Sequence, residues 1–189
     1  MPTTYTDPRV SRTKSLLMNA FREIAKEKKI HAITVKDITD RATVNRATFY
    51  AHFYDKYDIM DYTISETILN NLNETLDIAE KLDESTLHTL FIKITSYIEE
   101  THNECKLNSK AYGEVVEKRV KEELEDIFLT LIEDSNPNQD REMLASSARF
   151  LAWGLYGIAK HWFETSTVSA EDYIKKIITF FSESSSILK

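Results

Sequence analysis

The sequence predicts an all-α protein built from two helical domains. Along most of its 189 residues, apolar side chains recur at steps of three and four, which is the spacing of one face of an α-helix. Neither strand-type alternation nor an internal repeat is evident. Capping residues and short polar breaks divide the helical stretches. These observations favour a small helical domain over residues 1–56, followed by a larger helical domain over residues 57–189.

Charge is unequally distributed along the chain. Residues 1–60 contain 11 Lys and Arg against 7 Asp and Glu, whereas residues 61–189 contain 13 against 24. The formal net charge of −7 therefore conceals a basic amino-terminal part. A basic part on an acidic remainder is typical of proteins in which only one part contacts phosphate groups.

Two short helices are predicted in the basic part from their capping residues. Thr34 can cap a helix over residues 35–42, because Asp37 stands three residues later and completes a capping box. Asn45 is another strong capping type and can open a second helix at Arg46. The short connection between the two helices has the spacing of a helix-turn-helix motif.

The side chains of this motif separate into an apolar face and a polar face. The apolar contacts come from Val35, Ile38, Ala42, Val44, Phe49 and Phe53, and the outer face carries Arg46, Ala47, Thr48, Tyr50, Ala51 and His52. Arginine suits guanine edges or phosphate, threonine and tyrosine suit phosphate oxygens, and alanine suits a thymine methyl group. On spacing alone, an ordinary helical hairpin with a solvated face remains the alternative.

Residues 11–62 resemble the DNA-binding domain of the tetracycline-repressor (TetR) family of bacterial regulators. After an amphipathic helix predicted over residues 12–28, the matching order and spacing run through Thr34-Val35, Asp37-Ile38, Ala42, Val44, Thr48, Tyr50, His52-Phe53 and Asp55-Lys56. The resemblance implies DNA contacts by Arg46, Thr48, Tyr50, His52 and Lys56, and we expect Thr48, Tyr50 and Lys56 to bind phosphates. Because the first turn of a recognition helix lies nearest the bases, we expect Arg46 and Ala47 to read bases. Thr34 and Lys36 are candidates for contacts to the flanking DNA backbone.

The sequence departs from the family pattern in its glycines. Family members usually carry glycine near Lys29, Thr43 and Ala47, whereas the three glycines of this chain are Gly113, Gly154 and Gly157. If Thr43 must adopt a left-handed conformation, we expect strain on the order of 1 kcal/mol.

The larger domain is predicted to contain five helices. Their expected positions are residues 57–76, 87–98, 112–134 and 143–163, with a last helix that begins at Ser169. The polar stretch at residues 135–139 is the clearest break. Residues 150–159 are apolar almost all round, so we expect the fourth of these helices to be buried on more than one side.

The last two helices are candidates for a homodimer interface. Gly154 and Gly157 each lower helix stability by about 1 kcal/mol relative to alanine, and such residues are useful where another helix approaches closely. Packing within one chain is the alternative, which periodicity does not separate from dimerisation. The resemblance to the family favours a dimer with an interface that includes Leu151, Gly154, Leu155, Ile158, Tyr173, Ile177 and Phe181.

The resemblance also implies a pocket for an unknown small-molecule effector in the larger domain. Its aromatic candidates are Phe91, Tyr97, Tyr112, Phe128, Trp153, Tyr156 and Trp162. Each of these residues also fits an ordinary core position. The expected function is a repressor that an effector releases from a pseudo-palindromic, double-stranded operator.

Other classes of function have less support in the sequence. No cofactor motif or catalytic motif appears, so an enzyme is not expected. The cluster His102-Asn-Glu-Cys105, with His88 and His161 elsewhere, has loose spacing and leaves a metal-responsive regulator as an alternative. A helical dimeric adaptor without DNA binding is a further alternative. A cytoplasmic protein is expected, because the amino terminus lacks an apolar signal core and the longest apolar run is far shorter than the ~20 residues of a membrane span.

Overall fold

The computed structural model describes residues 8–76, 81–104 and 106–183. Every regular element in these ranges is helical, which confirms the predicted fold class. The α-helices are α1 (Pro8–Glu27), α2 (Val35–Ala42), α3 (Arg46–Tyr50), α4 (Lys56–Leu76), α5 (Glu84–Glu104), α6 (Ser109–Ser135), α7 (Arg141–Thr165) and α8 (Ala170–Glu183). One 3₁₀ turn, Ile30–Ala32, precedes α2, and another, Lys106–Asn108, precedes α6.

The chain forms two compact units. The first unit comprises residues 1–66 and 103–115, and the second comprises residues 67–102 and 116–189. The boundary expected after residue 56 falls at the first residue of α4. Helices α4, α5 and α6 each supply residues to both units, and the second stretch of the first unit runs from the end of α5 to the start of α6.

The core of the first unit is built from the apolar faces of its helices. Positions spaced three and four apart in α1 point inward, and α2, α3 and the start of α4 add their own apolar residues. The buried side chains include Leu17, Phe21, Ile24, Ile38, Phe49, Phe53, Ile59 and Ile64. This core lies beneath the helix-turn-helix formed by α2 and α3.

The core of the second unit is aromatic where α5, α7 and α8 meet. The ring of Phe91 stacks on Tyr173 with centroids 5.9 Å apart, and it meets the ring of Trp162 edge-on at 6.4 Å. Further buried residues come from each helix of the unit, among them Leu90, Ile94, Val120, Leu124, Phe128, Leu144, Ala148, Ala152 and Ile174.

Helix α7 departs from the sequence-based expectation. Burial on more than one side was expected for residues 150–159, but in the single chain Phe150, Trp153, Gly154 and Gly157 are exposed. Only the opposite face, with Ala152, Leu155, Tyr156 and Ala159, is buried. The physical reason is that one chain supplies packing partners for one side of α7 and leaves the other side uncovered.

Candidate nucleic-acid interface

The start of α2 is fixed by a capping box. The hydroxyl oxygen Oγ1 of Thr34 accepts a hydrogen bond from the Asp37 amide at 3.1 Å, and Asp37 Oδ2 accepts one from the Thr34 amide at 2.9 Å. This confirms the predicted cap. A hydrogen bond from Lys28, together with those from Thr34, lowers the pKa of the Asp37 carboxyl to about 2. The carboxylate therefore stays charged at the positive end of α2, where it stabilises the helix.

The short helix α3 is held by its cap and by one buried ring. Asn45 Oδ1 accepts hydrogen bonds from the amide of Thr48 at 2.7 Å and from its hydroxyl at 2.9 Å. Phe49 is the buried residue of α3. Its ring centroid lies 5.8 Å from that of Phe53 and 5.4 Å from that of Tyr50. A single side chain thus anchors the recognition helix to the core.

The turn between the two helices contains a left-handed residue. Thr43 has φ 57° and ψ 44°, the one positive φ among the described residues. Its amide donates to Asp40 O at 3.3 Å, and the amide of Val44 donates to Thr39 O at 3.0 Å. The tight turn therefore forms without glycine, as the sequence allowed, and a β-branched residue in this conformation carries strain of about 1–2 kcal/mol.

Replacing this threonine with glycine is expected to stabilise the protein. In Thr43→Gly, relief of about 1–2 kcal/mol of strain exceeds the extra unfolded-state entropy of about 0.5–1 kcal/mol. We therefore expect the free energy of unfolding to rise by about 0.5–1 kcal/mol, measured by urea denaturation followed by circular dichroism. The matched control is Ala47→Gly inside α3, which should lower it by a similar amount. A destabilised Thr43→Gly protein would contradict the assignment of strain to Thr43.

The outer face of α3 presents side chains that are available for contacts. Arg46, Ala47 and Tyr50 are exposed, whereas Thr48 and His52 are partly buried. The Arg46 guanidinium forms no hydrogen bond or ion pair with any other residue in the described ranges. The hydroxyl proton of Thr48 is already donated to Asn45. Among the predicted base-reading and phosphate-binding residues, Arg46 and Tyr50 thus have the most accessible functional groups.

The two predicted flanking contacts, Thr34 and Lys36, and the predicted DNA contact Lys56 all have partners inside the protein. The Thr34 hydroxyl belongs to the capping box, and Lys36 pairs with Asp40 at 2.6 Å. Lys56 Nζ donates to two main-chain carbonyls, those of His31 and Ile33, both at 2.8 Å. An ammonium group has three protons, so one remains for another acceptor. Phosphate contact by these residues stays a prediction. The hydrogen bonds of Lys56 to the main chain of the 3₁₀ turn and its neighbour had no signal in the sequence.

The predicted pocket aromatics do not form one group. Phe91, Tyr97, Phe128 and Tyr156 are buried in the second unit, where Trp162 is partly buried. Tyr112 instead belongs to the first unit, and Trp153 is exposed. An effector pocket lined by these residues stays a prediction, and Phe91 and Trp162 are two of them whose rings meet edge-on.

The predicted dimer residues lie at different depths. Leu155 is buried; Leu151, Ile158, Tyr173 and Ile177 are partly buried; Gly154 and Phe181 are exposed. Phe150, Trp153 and Phe180 are further large apolar side chains of α7 and α8 that are exposed in the single chain. The Trp153 indole is held in place, because its Nε1 donates to Glu125 Oε1 at 2.8 Å and Lys121 Nζ lies 4.7 Å from the ring centroid.

The histidines considered for a metal site have other surroundings. His88 Nε2 lies 2.6 Å from Glu171 Oε2, and the ring of His102 meets that of Phe163 edge-on at 5.2 Å. Across the part of the chain that the structure describes, no group of three or more His, Cys, Asp or Glu residues is placed to hold a metal ion. Cys105 lies outside the described residues.

None of the described helices has the length and apolar character needed to cross a membrane.

A capped helix-turn-helix with an accessible arginine and tyrosine on its second helix defines a DNA-binding regulator. Residues 17–63 match a family model described as "Bacterial regulatory proteins, tetR family". Residues 85–183 match a model described as "Transcriptional regulator C-terminal region". The chain therefore belongs to the TetR family of bacterial DNA-binding transcriptional regulators.

One curated relative is similar over part of the chain. It is the uncharacterized HTH-type transcriptional regulator YxbF of Bacillus subtilis (strain 168), with 35% identity over 82 residues. This alignment covers 43% of the present chain and 21% of the relative. The chain thus matches about a fifth of the length of that protein.

Solved structures of regulators share the fold. The dihydroxyacetone kinase operon activator DhaS has a TM-score of 0.55 at 17% identity, with 93% of this chain and 97% of that chain covered. The TetR family repressor AlkX from Dietzia sp. strain DQ12-45-1b has a TM-score of 0.54 at 11% identity, with 90% and 93% covered. The fatty acid degradation regulator FadR from Bacillus halodurans has a TM-score of 0.53 at 16% identity, with 94% and 96% covered. At these identities the similarity shows the fold alone.

Proposed function

We propose that this regulator is a homodimeric repressor that a small-molecule effector releases from a pseudo-palindromic operator. The observation that carries the proposal is the exposed face of α3, on which Arg46, Ala47 and Tyr50 are accessible. In a two-fold dimer, two such faces contact two half-sites, so the symmetry of the operator follows that of the protein.

The proposed DNA contacts follow from the position of each side chain along α3. Arg46 and Ala47 lie in the first turn, which is nearest the base edges when a recognition helix enters the major groove. Arginine binds the O6 and N7 atoms of guanine, and an alanine methyl packs against the methyl of thymine. Tyr50 lies at the end of the helix and donates its hydroxyl proton to a phosphate oxygen. Thr48 and His52 are secondary contacts, because both are partly buried.

The proposed dimer interface lies on the uncovered face of α7. An added Cβ at Gly154 or Gly157 would meet no atom within 4 Å, so packing within one chain does not require either glycine. The same face carries Phe150 and Trp153. Large apolar groups gathered on one face are typical of a surface that a partner covers, and small residues let a second helix approach closely. Because TetR-family regulators typically form dimers, we propose that this partner is a second copy of the chain.

The proposed effector acts through the second unit. We place its site near the aromatic residues Phe91 and Trp162 of the second unit, because small-molecule sites are usually lined by apolar and aromatic side chains. An effector lowers operator affinity only to the extent that it binds the released state more tightly than the DNA-bound state.

Since AlkX is described as a repressor and DhaS as an activator, the direction of regulation needs its own assay. We expect the protein to reduce transcription in vitro from the promoter beside its gene; an increase would identify an activator.

Variants of α3 test the DNA contacts. In fluorescence anisotropy at two salt concentrations, we expect the wild type to prefer DNA from upstream of its gene over an unrelated duplex, with binding weakened by salt. Arg46→Ala should reduce this preference by about 30-fold or more, because a bidentate arginine–guanine contact contributes about 1–3 kcal/mol of discrimination in each of the two half-sites. Tyr50→Phe, which removes only the hydroxyl, should weaken binding to both duplexes to a similar extent.

The charge-matched control is Arg141→Ala, since Arg141 lies at the start of α7 in the second unit. It should leave the preference for upstream DNA unchanged. Selective wild-type binding that Arg46→Ala does not alter would exclude Arg46 from base readout. The absence of salt-dependent binding to any duplex would favour the dimeric adaptor instead.

A further inference from the structure

Asn108 is a buried asparagine that binds three main-chain groups far away in the sequence. It ends the 3₁₀ turn Lys106–Asn108, immediately before α6. Its Nδ2 donates to Ala25 O at 2.8 Å and to Lys28 O at 2.9 Å, and its Oδ1 accepts from the Ile30 amide at 2.8 Å. The side chain is 6% exposed. Both protons of its amide nitrogen, and its amide oxygen, are therefore used inside the first unit.

These bonds replace a local cap at the end of α1. The last carbonyls of any helix lack partners within the helix, and a glycine after the helix commonly provides the turn that satisfies them. The residues after α1 include no glycine, and Lys29 adopts an extended conformation with φ −67° and ψ 141°. Asn108 instead supplies the donors for Ala25 O and Lys28 O. The cap of α1 thus comes from the connection between α5 and α6.

The same side chain helps to hold the link between α1 and the helix-turn-helix. That link is the 3₁₀ turn Ile30–Ala32, which leads within a few residues to the cap of α2. Asn108 holds the amide at the start of the turn, and Lys56 holds the carbonyls of His31 and Ile33. Two side chains from distant parts of the chain therefore set where α2, and with it α3, begins relative to α1.

We propose that Asn108 is a positioning residue for operator recognition. By capping α1 and holding the Ile30 amide, it fixes the direction in which α2 and α3 leave α1, and so places the side chains of α3 for selective DNA contact. The next residue begins α6, which continues into the second unit. The inference rests on the proposed binding to an operator.

Operator binding by full-length variants tests the proposal. Asn108→Leu is similar in size but has neither the donors nor the acceptor. Well below its melting temperature, we expect it to bind upstream DNA at least tenfold more weakly than the wild type, with binding to an unrelated duplex changed less than twofold. Ile64→Val and Ile64→Ala, in the core of the same unit, provide controls whose loss of melting temperature brackets that of Asn108→Leu. They should keep operator affinity within twofold of the wild type.

A second variant covers the case in which Asn108→Leu does not fold. Asn108→Asp has nearly the same shape and retains an acceptor for the Ile30 amide, but its carboxylate cannot donate to Ala25 O and Lys28 O. We expect the same selective loss of at least tenfold. If either folded variant binds upstream DNA like the wild type, or loses no more affinity than the Ile64 control of matched stability, the positioning role is refuted. A wild type without preference for upstream DNA would instead refute the proposed function.

Discussion

Phe49→Ala is expected to lower the free energy of unfolding by about 3–5 kcal/mol and to abolish operator binding. Phe49 is fully buried, whereas the other four residues of α3 are exposed or partly buried. A helix of five residues has too few internal hydrogen bonds to be stable alone. Removing the ring leaves a cavity next to Phe53 and deprives α3 of its anchor. Binding is then lost although every accessible side chain of α3 remains.

The neighbouring tyrosine separates stability from recognition. Tyr50 lies on the same helix but is exposed, with only an edge contact to the Phe49 ring. Tyr50→Ala should therefore cost at most about 1 kcal/mol of stability while weakening DNA binding. Phe49→Leu, which keeps most of the buried volume, should cost about 1.5 kcal/mol or less and retain binding. Urea denaturation by circular dichroism and anisotropy with upstream DNA measure the two effects. Wild-type stability in Phe49→Ala would mean that Phe49 does not anchor α3.

The helix-turn-helix was predictable because its signals are local. Thr34 and Asp37 stand one helical turn apart, and Asn45 precedes α3 directly, so the caps follow from short spacings. The glycine that family members usually carry near Thr43 raised the possibility of a left-handed residue at this position, and Thr43 adopts that conformation in the structure. Where residues within four positions decide the structure, the sequence is sufficient.

The long-range hydrogen bonds of Asn108 and Lys56 were not predictable, because the groups that they join lie far apart in the sequence. Asn108 binds groups 78 to 83 positions away, and Lys56 binds carbonyls 23 and 25 positions away. Neither residue differs by type or spacing from a solvated polar residue. A lysine at the start of α4 therefore predicted only a phosphate contact, although the structure also gives it two carbonyl partners.

The orientation of α7 was not predictable because apolar residues surround it. A helix with one apolar stripe has one possible inner face, but between residues 150 and 159 every direction carries an apolar or small side chain. The periodicity therefore gave no reason to place Leu155 inward and Phe150 outward. Tyr112 shows a related limit, since it was assigned to the larger domain although the start of α6 belongs to the first unit.

Phe150→Asp is expected to convert the proposed dimer into a monomer at micromolar concentration. Phe150 is 79% exposed and Trp153 is 54% exposed in the single chain, so a second copy of α7 would bury both. Because Glu125 and Lys121 already hold the Trp153 indole, its burial costs little conformational entropy. Light scattering should give twice the chain mass of 21.9 kDa for the wild type and the single-chain mass for the variant.

The size of the effect follows from the two-fold symmetry. A central aromatic residue contributes about 2 kcal/mol or more to an interface, and each substitution occurs twice in a symmetric dimer. A loss of about 4 kcal/mol raises the dissociation constant by roughly a thousandfold. The fold of the single chain should be retained, since substitutions at exposed positions usually change stability by about 0.5 kcal/mol or less. Val10→Asp introduces the same charge at an exposed apolar residue of α1 and should leave the dimeric mass unchanged.

Loss of the dimer should also reduce operator affinity without any change to α3. In the dimer, binding of one recognition helix raises the effective concentration of the other at its half-site, which strengthens binding by about 10²–10⁴-fold. Phe150→Asp removes this gain, whereas Arg46→Ala removes a contact within each half-site. The affinity of Phe150→Asp for a single half-site should therefore equal that of the wild type, while its affinity for the full operator falls. A dimeric mass for Phe150→Asp, or full operator affinity in a monomer, would show that the exposed face of α7 is not the interface that pairs the two DNA-binding units.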